Sequence, residues 1–334
     1  MDWRALYSLS VPLASGFFTP SILYAFLTKV IPVGMMDFAK QRLDSARLID
    51  QTLDSFLTKD NLSNPGPAPH HLVAAIRHGA LNGGKRLRPV LLLQSAQIFS
   101  FPREKAINAA MAVEIVHCYS LIHDDLPPMD NDDLRRGKPT VHKAYDEATA
   151  ILAGDALLAH AFDILSSSKC HPDPQIRLHL IAELAKASGA GGMAGGQALD
   201  LKGETTYLSE IEIAQMQSMK TGALIYAAVR MGAILGGANK KQLGALGAYA
   251  KAAGRAFQLA DDILDLTAST EQMGKTTGKD AAAKKPTMVA RIGIEAAQRQ
   301  LGDTIHNALD ALMMFGSSAN GLRDTARFFG QRGN

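Results

Sequence analysis

The chain has 334 residues, enough for one large domain or two ordinary ones, and combines 47% hydrophobic with only 6% aromatic residues. Its net charge of +3 comes from basic residues spread along the chain, which argues against a nucleic-acid footprint. The only cysteines, Cys118 and Cys170, have no metal-site spacing and imply no disulfide framework, in keeping with a reducing cytoplasm.

Trp3 to Gly34 is mostly apolar but is interrupted by Pro12, Pro20, Lys29 and Pro32. A spanning helix needs about 20 apolar residues in a row, so no stable membrane span is expected. No A-x-A cleavage pattern closes the segment. The favoured reading starts translation at Met35 or Met36, leaving 1–35 as an apolar extension outside the native protein and 36–334 as the functional domain. A membrane-associating extension is the alternative.

Phe38, Leu43, Ala46, Ile49, Leu53 and Phe56 recur at helical steps. Asn61 to Pro69 reads as a loop, and a helix follows over His71–Leu81. Gly83-Gly84 breaks the chain, and Pro89 sits where the next helix starts. A long helix over Ala106–His123 ends at aspartates. Further helices are predicted at 143–168, 175–199, 209–235, 241–268, 288–312 and 320–330. Gly189 to Gly196 holds five glycines in eight residues and reads as a kink or close contact within one helix rather than a lid. Neither alternating strands nor a long repeat appears. The expected fold is all-α, one domain of ten or more helices around a central cavity.

Two acidic clusters stand out inside this apolar helical sequence, Asp124-Asp125 with Asp130, and Asp261-Asp262 with Asp265. At about 4 Å and an effective dielectric near 20, one like-charge pair costs roughly 4 kcal/mol. Such clusters call for a cation, and small sets of hard oxygen ligands suit Mg²⁺ shared with substrate phosphates. At about 100° per residue, Gln258, Asp261, Asp262 and Asp265 project from one helix face about 100° wide. Asp124 and Asp130 cannot share a regular helix, because Pro127-Pro128 intervenes. His117 falls about 20° from Asp124 on the same face. His123 is expected to orient a carboxylate rather than bind metal. Asp132 and Asp133 read as partners for Arg135, Arg136 or Lys138. Lys275 and Lys279 sit in a glycine-rich stretch that lacks the nucleotide P-loop spacing.

Six stretches, in order, carry a family resemblance: Gly83-Gly84-Lys85-Arg86-Leu87-Arg88-Pro89; Ser120 to Asp130; Asn131 to Thr140 with Arg135-Arg136; Gly154-Asp155; Lys220-Thr221-Gly222; and Phe257-Gln258 to Asp265. From about Met36 onward the chain resembles the bacterial short-chain trans-prenyl diphosphate synthases, closest to the farnesyl diphosphate synthases. The resemblance implies the isoprenoid synthase fold, a homodimer, and three Mg²⁺ per active site held by Asp124, Asp125, Asp130, Asp261, Asp262 and Asp265. It implies that Lys85, Arg88, His117 and Arg136 hold isopentenyl diphosphate. Arg135, Lys220, Gln258 and Lys275 would hold the allylic diphosphate, with Lys285 closing over the site. The Thr221 hydroxyl, the Gln258 side-chain carbonyl and the Lys220 backbone carbonyl would stabilise the allylic cation. Surface charges around a core histidine are the bland reading of the same basic residues.

Tyr119 is offset by about 140° from Asp124 and lies over a turn deeper along the helix, where a ring would stop a growing chain. In the family an aromatic there, with the two-residue insertion between Asp125 and Asp130, goes with fifteen-carbon products, and small Ser120 leaves room for more than ten carbons. Farnesyl diphosphate is therefore the expected product, with geranyl or geranylgeranyl diphosphate as alternatives. A terpene cyclase and a non-catalytic synthase subunit are the competing classes.

Overall fold

In a computed structural model of the protein, residues 33–267 and 287–332 are described. Contacts divide the chain into two compact units, Met1–Leu43 and Asp44–Asn334. The first is described only where α1 (Val33–Phe56) begins. Everything below concerns the second.

Several elements start where a side chain satisfies free backbone N–H groups. Thr58 caps the short α2 (Lys59–Leu62). After the proline-rich loop, α3 (His70–Ala80) leads into a tight turn in which Gly83, Gly84 and Arg86 all have positive φ. The chain then enters α4 (Leu87–Gln97) and the long α5 (Arg103–Asp124). Beyond the two prolines comes a small hairpin of β1 (Leu134–Arg135) and β2 (Lys138–Pro139), closed by Arg136 and Gly137, both at positive φ. That is the requirement of a type I′ turn. Next come α6 (Val141–Ala144) and α7 (Glu147–Ser166), the latter capped by Asp146, which accepts from Thr149 N–H. Asp173 and Pro174 open α8 (Pro174–Ser188). The series continues with α9 (Met193–Thr205), α10 (Glu210–Gln217) behind a Ser209/Glu212 capping box, and a π-helical turn over Ser218–Gly222. Then follow α11 (Ala223–Leu235), α12 (Lys240–Thr267), α13 (Met288–Ile292), α14 (Ile294–Ala311) and α15 (Asn320–Arg332).

The all-α expectation holds, apart from the two-residue strands. Four helices expected to be continuous are interrupted. The 143–168 span is split before α7 by Asp146, an extended N-cap. The 175–199 span breaks at Gly189, which turns to an extended conformation, so the glycine run separates two helices instead of kinking one. The 209–235 span carries the π turn, and 288–312 is cut at Gly293 with φ 79°.

α5 is buried around most of its circumference (Ala109, Ala110, Val113, Ile115 and Val116 are all fully buried), which marks it as the central helix. It packs most extensively on α7, through Ala150, Ala153, Leu157 and Ala161, a small-residue face that lets the two axes approach. α5 and α7 are long and apolar enough to cross a membrane, but 61% and 44% of those windows are buried inside the protein. A second core joins α12, α14 and α15 around Tyr249 and Phe329, with the Tyr249 hydroxyl donating to Leu322 O at 2.7 Å.

Candidate active site

Asp124 is the last residue of α5 and Asp125 its C-cap. The prolines prevent the helix from continuing, and the chain curls back so that Asp130 N–H donates to Asp124 O at 2.8 Å. Asp130 is thereby brought beside Asp124, as its position after the proline break suggested. Burial raises the Asp124 pKa to about 6; neighbouring Asp130 and Asp200 act in the same direction, and Lys220 and Arg135 oppose it.

Asp125 is placed differently. It is buried, and its Oδ1 accepts from Arg135 Nε at 2.5 Å. Asp132 pairs with the same guanidinium at 3.3 Å, and Asp133 pairs with Lys143 at 3.0 Å. Asp262 is likewise buried and accepts from Gln258 Nε2, Gln217 Nε2 and Met288 N–H, each at 2.9 Å. Both carboxylates are engaged by protein donors. The reason is the width of the helix face: its inner edge, Asp262, turns into the protein, while Asp265 is exposed. By taking Gln258 Nε2, Asp262 also fixes which way the Gln258 carbonyl points.

The basic residues converge from three elements. Arg88 lies in the first turn of α4, where backbone N–H groups and the helix dipole favour an anion. Its Nε is buried with no protein partner. Lys85 is exposed in the preceding turn. His117 projects from α5; burial, then Arg88, Arg136, Arg86 and Arg135, hold its pKa well below the usual imidazole value. It is therefore neutral at pH 7 amid cations. The hairpin turns Arg135 and Arg136 in opposite directions, as consecutive residues require: Arg135 toward Asp125, Arg136 to the Gly83 carbonyl. A side chain at Gly84, whose φ is 131°, would strike the Arg136 guanidinium.

The π turn presents Lys220 and Thr221. Lys220 Nζ pairs with Asp200 Oδ2 at 2.5 Å. A Cβ on Gly196 would run into the Lys220 backbone, so glycine is what lets α9 press against that turn. π-helical turns recur at functional sites because they displace backbone groups from the regular ladder.

Arg88, His117, Asp124, Lys220 and Thr221 line one cavity of about 370 Å³ together with Tyr119, Ser120, Met193 and Leu201, while Asp125, Arg135 and Arg136 line a separate, smaller pocket. Gln197 lines the larger cavity too, with both amide atoms buried and unpartnered by protein. The second aspartate cluster is placed differently from the first. Gln258, Asp261 and Asp265 lie outside the lining of the larger cavity. They are connected to it through the Asp262–Gln217 bond beside the π turn and through the charge of Asp261 acting on Arg88. Lys275, Lys279 and Lys285 lie outside the described residues.

Among the described residues, no three His, Cys, Asp or Glu side chains converge tightly enough to hold an ion alone. This donor chemistry fits Mg²⁺, which keeps waters and takes one or two carboxylates plus substrate phosphates. The orphaned Arg88 Nε fits a diphosphate in the same way.

Sequence reasoning missed several residues. Arg86 is 2% exposed, and its guanidinium reaches Glu114 at 2.7 Å, Asp50 at 2.8 Å and the Ala80 carbonyl at 2.9 Å. Burial alone would lower its pKa, but Glu114, Cys118 and Asp50 hold it above the ordinary guanidinium value. His123 bonds to the Ile151 carbonyl and not to a carboxylate. Gln197, Asp200 and Gln217 carried no local signal, since their partners or exposures depend on other helices.

The fold and site define an all-α enzyme that handles diphosphates beside carboxylates. The polyprenyl synthetase family model matches residues 69–312. The chain is 43% identical over 282 residues to farnesyl diphosphate synthase of Escherichia coli K12, covering 83% of this chain and 92% of that one. It is 43% identical over 252 residues to the chloroplastic geranylgeranyl pyrophosphate synthase of Capsicum annuum, covering 75% and 68% respectively. It superposes with a TM-score of 0.78 on the apo crystal structure of an FPP/GFPP synthase from Zymomonas mobilis, at 44% identity, covering 88% of this chain and 99% of that one. The protein belongs to the polyprenyl synthetase family and is a prenyltransferase of the short-chain trans type.

Proposed function

We propose that the protein is a (2E,6E)-farnesyl diphosphate synthase, adding isopentenyl diphosphate to dimethylallyl and then geranyl diphosphate. The observation that carries this reading is one cavity lined together by Asp124, Lys220, Arg88, His117 and Tyr119. A separate basic site beside the acidic one suits two diphosphate substrates; a cyclase needs only one. Relatives that make farnesyl chains support the product length, and the plant geranylgeranyl relative keeps a twenty-carbon product as the rival.

In this mechanism Lys220, steadied by Asp200, and Arg135, steadied by Asp125, face the allylic diphosphate and stabilise the charge that grows as its C–O bond breaks. Lys275 is proposed to join them. Asp124, Asp130 and Asp261, with Asp265, are the residues that would hold Mg²⁺, three ions in the full complex. When bound, Mg²⁺ supplies Lewis-acid neutralisation of the departing diphosphate. The electron pair leaves with the diphosphate, and the allylic cation forms against the Thr221 hydroxyl, the Gln258 carbonyl and the Lys220 carbonyl, dipoles that stabilise without attacking. Arg88, Lys85, His117 and Arg136 hold isopentenyl diphosphate so that its alkene meets the cation. A C–C bond forms, and the adjacent proton passes to the released diphosphate. The enzyme works as a homodimer in a reducing cytoplasm, with Cys118 and Cys170 as free thiols.

Product analysis with Mg²⁺, labelled isopentenyl diphosphate and dimethylallyl diphosphate tests this. A dominant fifteen-carbon diphosphate is expected, with a rate loss of about a thousand-fold or more in Asp124→Ala, equivalent to about 4 kcal/mol of barrier. A dominant twenty-carbon product would replace the farnesyl assignment. Hydrocarbon formed from farnesyl diphosphate alone would replace the synthase reading with a cyclase.

A further inference from the structure

Tyr119 does not stand alone on the cavity wall. Its ring meets the imidazole of His123, one helical turn further along α5, edge to face, with centroids 5.8 Å apart and planes at 79°. His123 is held in turn from the other side. Its Nε2 lies 3.0 Å from the Ile151 carbonyl on α7, a geometry in which Nε2–H donates to that oxygen. Beneath it lies Gly154, buried in the α5–α7 seam, where any Cβ would overlap the imidazole. A helix interior normally disfavours glycine by roughly the cost of its extra backbone freedom. Here its missing side chain is the space the imidazole fills. Both rings also line the cavity.

We propose that His123, seated on Gly154 and tied to Ile151, is a product-length positioning residue that braces the Tyr119 ring and so sets the depth at which the growing prenyl chain stops. The argument rests on the synthase reading given above. A tyrosine ring that can rotate about χ1 is a poor stop, because an elongating chain can push it aside. An edge-to-face partner that is itself anchored to a second helix removes that freedom. The strut therefore joins α7, which touches no diphosphate group, to the decision between fifteen and twenty carbons. His123 touches no reacting atom in this scheme and acts through Tyr119.

Because chain termination is a competition between release and one more condensation, the ratio of twenty- to fifteen-carbon product is the readout. A general loss of activity or stability would leave that ratio unchanged. Purified wild type, His123→Ala, His123→Asn and Gly154→Ala would be compared with labelled isopentenyl diphosphate and geranyl diphosphate, with thermal melts alongside. His123→Asn removes the ring but keeps a polar amide, too short to replace Nε2 at the Ile151 carbonyl, so it tests the brace even if the alanine variant folds poorly. The expected result is a ratio at least ten-fold above wild type in both His123 variants and a rise in the same direction in Gly154→Ala. In a Tyr119→Ala background, His123→Asn should add nothing further, because a residue acting through Tyr119 has nothing left to act on. An unchanged ratio in folded His123→Asn, or a shift of equal size in the Tyr119→Ala background, would overturn the strut while leaving the synthase assignment intact. Wild-type protein that condenses neither geranyl diphosphate nor, in a parallel reaction, dimethylallyl diphosphate would overturn the synthase reading and the strut with it.

Discussion

Arg86 and Arg88 show how two like residues in one motif separate into opposite roles. Arg88 keeps a buried, unpartnered Nε beside the cavity, whereas Arg86 turns inward in a left-handed conformation and spends its donors on Glu114, Asp50 and a carbonyl. Removing Arg86 leaves Glu114 buried and uncompensated, so Arg86→Met should cost about 3–5 kcal/mol, read from urea unfolding of the two proteins. A loss under about 1 kcal/mol would show that the turn is held by its glycines alone. Asp124 makes a second prediction. Its pKa, raised to about 6 chiefly by burial, means that acidification toward pH 6 puts a proton where the proposed Mg²⁺ must bind. The Mg²⁺ concentration for half-maximal rate should therefore stay flat above about pH 7 and rise about ten-fold per unit below about pH 6. Metal titrations of rate at pH 5.5, 6.5 and 7.5 check this, and a Mg²⁺ requirement independent of pH would place the metal away from Asp124.

At the scale of elements, breaks in helices place most of the chemistry. α5 stops at Asp124 because prolines follow, the π turn interrupts what the periodicity marked as one helix, and the glycine run lets α9 start afresh against Lys220. Gly196→Ala pushes a methyl group into the Lys220 backbone. It should lower kcat at least ten-fold while costing only about 1–3 kcal/mol of stability, because overpacking shifts the turn without dissolving the core. Steady-state kinetics with a parallel thermal melt separate the two effects, and full activity in the alanine variant would show that the turn tolerates displacement. The sequence marked Lys220-Thr221-Gly222 as functional but read a regular helix through it. Local periodicity cannot register a five-residue hydrogen-bond step, since the hydrophobic spacing on either side is undisturbed.

At the scale of the molecule, every described residue of the site falls within Asp44–Asn334. Deleting residues 1–35 should accordingly leave kcat/KM within about two-fold of the full chain (a change of under about 0.5 kcal/mol in barrier). A large fall in turnover or solubility would give that segment a role in the native protein. The sequence by itself determined the all-α class and marked the carboxylates and the cations proposed to meet the diphosphates. Helical period, proline and glycine punctuation, and uncompensated charge are local properties that survive without knowledge of what packs on what. Only the tertiary structure decided that Asp124 lines the cavity and which donors hold its neighbours. Asp125 and Asp262 look like the other cluster aspartates in the sequence, yet Arg135 in one case, and Gln217 with Gln258 in the other, donate to their oxygens. The same holds for Asp200 with Lys220 and for His123 on Gly154: the partners are 20 or more positions apart, on different helices, and their pairing is set by the packing of those helices rather than by spacing along the chain.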